Sequence, residues 1–447
     1  MSLRRLSQLL FVSSWLLIGS CQAQAPAPCP ASSSWLTGQP PSEIPGGGQN
    51  LCQFYQFSWQ WFLFLVSPST TNPGMRNFEV QANFPLLQNP NSNPVNQNPT
   101  TATSCGLTST SKVANHALFV RTTKKTLATS TGVVIPSETG QAGGGATIYD
   151  QNGNVVFYES RFSQNVCTLP ATASNFAPNT VEIKLAWRIL NPNDPGLDTY
   201  YKVNTVITGV NNGQPVLLGL IGFHLVVSTP LHPEFVWATF EHKSNAPNCF
   251  GPSTAPAAGW SFNNKACAAC LSANPLNGPN ICVGNKQCTT MNVALDNQAS
   301  ITGTPTPICR TWIAGTAPAD NQAATNLFDV TTLNAQINGP GGILTRLAAT
   351  DPMSVWQNYR NDGAIWENNV SQPSSVTSNL RGSIELASPI AETTFQGTLQ
   401  AGPPPVVPGA KPNCFSCHTY TPGNNIGISH IYAPAPAPTP TPSPAPK

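Results

Sequence analysis

The apolar positions divide the chain into unlike stretches. Leu9 to Ile18 is an unbroken apolar run of about ten residues, too short to cross a bilayer comfortably. From Leu51 the apolar residues return with a helical period. Phe54, Phe57, Trp61 and Leu65 recur at helical spacing, and Trp59, Phe62 and Phe64 fill the other faces. This predicts a largely buried helix that ends before Pro68, because the proline ring disfavours a helical residue in front of it. An aromatic stripe of this kind is core packing and not a cofactor box. Residues 69 to 112, rich in Asn, Pro and Thr, predict a long loop.

Further along, the pattern turns to strands. Ala117 to Val120 is a short apolar run. Ala146 to Tyr149 and Asn154 to Tyr158 flank Asp150-Gln151-Asn152-Gly153 and predict a hairpin with an Asn-Gly turn. The Asp150, Asn152 and Asn154 side chains superficially resemble a calcium loop. The glycine falls at the fourth position and no Glu occupies the twelfth, so the stretch reads as a turn. Val181 to Leu190 is strand or short helix. Tyr201 to Val210 and Val216 to Val227 flank Asn211-Asn212-Gly213, the clearest hairpin in the chain, and Phe235 to Phe240 extends it to a meander. Asp351 to Trp366 starts like a helix. The expected fold is therefore mainly β with a few helices, a β-rich α+β body.

Composition bears on compartment. Charged residues make up 9% of the chain, far below the usual quarter or so, and the net charge is +2 without a basic cluster. That argues against nucleic acid as a partner. Arg4 and Arg5 precede the first apolar run, so residues 1–25 read as a secretory signal peptide. Two processing sites compete: Ile18-Gly19-Ser20-Cys21 has the form of a bacterial lipobox, and Ala23-Gln24-Ala25 suits ordinary cleavage. The lipobox would leave a lipidated Cys21 and membrane attachment. The expected location is the periplasm, or the outer membrane or cell surface as a lipoprotein. Of thirteen cysteines, ten remain once Cys21 and a C-terminal pair are set aside, enough for five disulfides in an oxidising compartment. Cys267-x-x-Cys270, with Cys282 and Cys288, mimics a four-cysteine zinc site, but export favours disulfides there.

That C-terminal pair carries the chemistry. Cys414-Phe415-Ser416-Cys417-His418 is a single C-x-x-C-H, the attachment signature of a c-type haem. Two thiols add to the two vinyl groups of one porphyrin, and the following histidine is delivered beneath the ring to ligate iron. Cys414 and Cys417 are the expected anchors of one covalent haem c, and His418 the proximal ligand. Only 29 residues follow His418, too few to complete a domain. The expected organisation is a spacer at 26–50, a disulfide-tied β-rich body at 51–395, a haem-attachment segment at 396–432 docked on that body, and a Pro-rich tail at 433–447. A distal ligand then comes from the body. His224, mid-strand among apolar residues with Gly219 and Gly222 nearby, is the first candidate, and His242, at a strand end on the face opposite Trp237, is the second. His430, His116, His232 and Met353 follow.

Several runs together resemble a group of uncharacterised exported bacterial proteins of the cytochrome c family: CQFYQFSWQWFLFL (52–65), GLIGFHLVV (219–227), HPEFVWATFEHKSNAP (232–247), SVWQNYRNDGAIW (354–366), ELASPIAETTFQ (385–396) and NCFSCH (413–418). The resemblance implies a single C-terminal haem on a large exported body, held by Cys414, Cys417 and His418. It also draws attention to His224 and His242. Where that pattern expects a Met-Glu pair, this chain has Ala391-Glu392, which weighs against a methionine ligand. The expected function is electron transfer to and from redox partners that the sequence does not identify. The alternatives are a haem enzyme or ligand sensor with an open distal site, peroxidase-like in character, and a structural or binding lipoprotein. No G-x-S-x-G or H-E-x-x-H hydrolase motif is present.

Overall fold

The computed structural model describes residues 28–86, 150–154, 156–170, 172–194, 196–207, 210–247, 254–263, 322–384, 386, 413–416, 418 and 420–429, with the backbone of three short strands at 119–120, 146–147 and 294–295. Helix α1 (Leu51–Val66) begins where Asn50 and Gln53 form a reciprocal capping box. It ends at Ser67, which is extended ahead of Pro68, as the sequence predicts. The Cys29–Cys52 disulfide ties its first turn to the preceding segment.

The described strands form one eight-stranded antiparallel sheet and a separate two-stranded pair. In chain order they are β1 (Phe119–Val120), β2 (Ala146–Thr147), β3 (Val156–Phe162), β4 (Val181–Ile189), β5 (Lys202–Thr205), β6 (Val216–Val227), β7 (Val236–His242), β8 (Ala294–Leu295), β9 (Tyr359–Glu367) and β10 (Leu380–Gly382). The sheet order is β1-β3-β4-β6-β7-β9-β10, with β5 paired to the start of β6. The β5–β6–β7 meander matches the sequence pattern, and Val181 to Ile189 is strand. The described residues thus make a sheet-rich fold with two α-helices.

Two local expectations are corrected. The 150–154 turn forms, with the Asp150 carboxylate accepting from the Asn152 and Asn154 amides at 2.9 and 2.8 Å. Its flanks do not pair with each other, however: β2 pairs with β8, and β3 with β1 and β4. The stretch expected to start as a helix makes only a 3-10 turn at Ser354–Asn358 and then enters β9. Val355 and Trp356 lie in that turn, and β9 is buried almost throughout although it carries Arg360, Asn361, Asp362 and Glu367, so no apolar/polar alternation marks it as a strand.

The sheet has two unlike faces. One packs on α1 and on α2 (Ala323–Asn338). Phe62 stacks on Phe240 at 4.0 Å and Phe54 on Trp366 at 3.9 Å. Each such buried aromatic contributes roughly 1.5–3 kcal/mol from area alone. A bulge between Ala186 and Trp187 of β4 lets Leu220 and Phe223 of β6 both face this core. The reverse face carries Phe162, Val226, Trp237, Ile365 and Leu380, and residues 413–429 pack against it through Cys414, Phe415, Tyr420, Ile426 and Ile428.

Candidate haem-attachment site

The His418 amide donates to the Cys414 carbonyl at 3.0 Å, so the motif forms one helical turn with its first cysteine and its histidine a turn apart. Asn413 Nδ2 donates to the Ile384 carbonyl at 2.9 Å and anchors the start of the turn. Cys414 carries a buried thiol, 3.8 Å from the Leu386 carbonyl. Phe415 is buried against Trp237, ring centroids 6.0 Å apart.

His418 is half-buried, and its ring lies 4.3 Å from that of Trp237. Its Nδ1 is 2.7 Å from the Ile428 carbonyl. A carbonyl only accepts, so Nδ1 carries the proton and the lone pair sits on Nε2. That fixed tautomer is what a metal-ligating histidine needs. The returning chain is clipped in place: the Tyr420 amide donates to Ser374 Oγ at 2.8 Å, Asn425 Nδ2 to the Pro233 carbonyl at 2.8 Å, and Asn425 Oδ1 accepts from the Phe176 amide at 2.6 Å. Trp237 Nε1 donates to the Glu234 carbonyl at 3.1 Å, which holds the indole beneath the motif.

Strand register sorts the distal candidates. Val226 pairs with Trp237 and His224 with Thr239, so His224 shares the reverse face with Trp237 and therefore with His418. Its Nδ1 lies 2.9 Å from Thr239 Oγ1. A side chain on Gly219 would meet Leu190 at 2.8 Å, so that glycine serves packing and not the approach of a flat group. His242 is corrected as a candidate. It has the strand parity of Phe240, opposite to that of Trp237 and Thr239. Its Nδ1 accepts from the Ser244 amide at 3.2 Å, which puts the proton on Nε2 for donation to the Thr199 carbonyl, and the ring stacks on Tyr200 at 4.0 Å. His232 engages Glu234 through Nδ1 at 2.7 Å, and Met353 lies in the helix-side core. Cys417, Cys21, His116, His430, the Cys267–Cys288 cluster, the signal region and the Pro-rich tail lie outside the described residues.

Buried acids that the sequence reading missed surround the motif. Glu182, on the same face, is pushed up to about 7 by burial, against a hydrogen bond from Ser429. Glu367 is pushed up to about 8, by burial first and then by the charge of Glu234. Glu234 is itself raised by burial, opposed by His232. Alternation along Val181–Ile189 could have placed Glu182 opposite the core, whereas the Glu234–Glu367 encounter joins residues far apart in the chain.

No family model, curated protein or solved structure matches this chain. Among the described residues no cluster of three or more His, Cys, Asp or Glu could hold a metal ion. A haem iron makes a smaller demand, because the porphyrin supplies the equatorial nitrogens and the protein only axial ligands. One buried thiol and one imidazole with its Nε2 lone pair preserved, a turn apart, suit that division of labour.

Proposed function

We propose that the chain is an exported monohaem c-type cytochrome that transfers electrons. Cys414 and Cys417 bind the haem through thioethers, and His418 ligates its iron. The observation that carries this reading is the hydrogen bond from His418 Nδ1 to the Ile428 carbonyl within a C-x-x-C-H sequence. A chance C-x-x-C-H has no reason to present its imidazole in the ligating tautomer, backed by a carbonyl ten residues on. When bound, the haem supplies a one-electron couple between ferric and ferrous iron. The chain's own residues would hold the His418 imidazole in place, exclude water with Trp237, Phe415 and Ile428, and keep the surroundings of a bound haem apolar. The packing of residues 413–429 against an apolar sheet face supports a haem segment completed by the body. Secretion with its signal peptide, into a compartment with haem-ligation machinery, supplies the covalent step.

The test expresses the full chain in a bacterium equipped for c-type maturation, alongside Cys414→Ala, Cys417→Ala and His418→Ala. The wild type should retain haem through denaturing electrophoresis. Each cysteine variant should lose a thioether, with a shifted pyridine haemochrome band, and His418→Ala should lose the native ligand field. Haem staining indifferent to all three substitutions would overturn the proposal.

A further inference from the structure

Resting on that reading, we infer that His224 is the second axial ligand of the iron and that Thr239 is its positioning residue. Three observations converge on this pair.

The first is the face. Trp237 meets the His418 ring at 4.3 Å, which fixes the reverse face of the sheet as the one beneath the motif. On that face His224 stands directly opposite Thr239 and is the diagonal neighbour of Trp237, about 7–8 Å away by sheet geometry. The second is the floor around it. Thr239 pairs onward with Gly363, and Gly222 lies two residues before His224 on the same strand. Thr239 and Gly363 flank the imidazole on one side and Gly222 precedes it along β6, while Lys184 of β4 stands directly opposite on the other side with its ammonium drawn to the Tyr158 ring, 5.8 Å from the centroid. The third is the orientation of the ring. His224 is 7% exposed, and its Nδ1 is 2.9 Å from a hydroxyl that is 1% exposed. With the proton on Nδ1 donated to Thr239 Oγ1, the Nε2 lone pair binds iron and no proton leaves. Among the described residues the competitors are engaged elsewhere: His242 on the Thr199 carbonyl, His232 on Glu234, Met353 in the helix-side core.

The consequence is functional. Two imidazoles close the iron to exogenous ligands and give a lower potential than a His/Met pair. The site then carries electrons and does not activate a small molecule.

The experiment uses the full-length holoprotein and four variants. Wild type should be low-spin and inert to carbon monoxide. His224→Ala should keep its covalent haem, turn high-spin, bind carbon monoxide, and return to low-spin with added imidazole. His224→Met should stay low-spin with a raised potential, a readout that survives if the alanine variant folds poorly. Thr239→Val should stay low-spin with a raised potential, because the ligating ring loses its hydrogen-bond acceptor. His242→Ala should leave the spectrum unchanged. If His224→Ala carries haem but remains low-spin and inert to carbon monoxide, or if His224→Met leaves the potential where it was, the inference fails while haem attachment stands. A wild type that is already high-spin and ligand-binding also overturns it. A wild type without covalent haem sinks the underlying reading instead.

Discussion

Glu367→Gln isolates one buried acid near Tyr420. Glu367 ends β9 and is fully buried, as is Glu234 beside it. Its Oε2 accepts from Asn379 Nδ2 at 3.3 Å. Burial and the neighbouring Glu234 charge push it from 4.5 up to about 8. The folded state therefore holds this proton more tightly than the unfolded chain does. The stability that comes with protonation is complete below the unfolded value near 4.5 and is lost as pH rises through 8. Each pH unit in that window forfeits about 1.4 kcal/mol, ~5 kcal/mol at the limit. Relaxation and water entry around a side chain near the edge of the sheet reduce this to ~2 kcal/mol. Glutamine mimics the protonated acid: its oxygen still accepts from Asn379 and its amide can donate to Glu234. Denaturant melts of both proteins at pH 5 and pH 9 provide the assay. The variant should be only slightly more stable at pH 5, where the loss has just begun, and more stable by ~2 kcal/mol at pH 9. Titrating groups other than the coupled Glu234 cancel in the difference. A variant less stable at both pH values, or a stability gap independent of pH, would refute the reasoning.

Other expectations follow from the same geometry. Glu182 lies beside Ser429 and is pushed up to about 7, so the reduction potential should fall as pH rises through neutrality, since an electron on the iron favours the protonated acid; potentiometry should find that slope flattened in Glu182→Gln. Trp237→Ala removes the ring under His418 and Phe415 and should cost about 3–5 kcal/mol in a denaturant melt, with lower haem occupancy per chain. Replacing both Cys29 and Cys52 by Ala opens a loop of 23 residues and should cost about 3 kcal/mol by the same melt, leaving the haem spectrum unchanged.

Local signals were legible in the sequence where they were strong. Helix α1 announces itself through an aromatic period bounded by Asn50 and Pro68, and the β5–β6–β7 meander through Asn211-Asn212-Gly213. Helix α2 escaped notice because its buried Val330, Leu333 and Ile337 form a thin stripe beside exposed Leu327 and Phe328. The partners of β2 and β3 are set by long-range pairing that no local turn encodes. For the proposed site, the C-x-x-C-H pattern was legible because covalent haem attachment would demand that fixed spacing. Placing His224, and not His242, on the face of Trp237 needed only strand parity plus the face on which the motif lands, and the second of these is tertiary information. The Ile428 carbonyl and the Glu234–Glu367 pair carry no sequence signature, because a backbone acceptor is anonymous and the two acids lie far apart in the chain.

The central claim is tested most directly by intact-mass and peptide-mass analysis of the full chain exported in a host with haem-ligation machinery. The expected result is one added haem per chain, carried by the peptide spanning Cys414 to His418, with neither motif thiol open to alkylation. A chain at its haem-free mass, with Cys414 and Cys417 alkylated or joined to each other, contradicts the account.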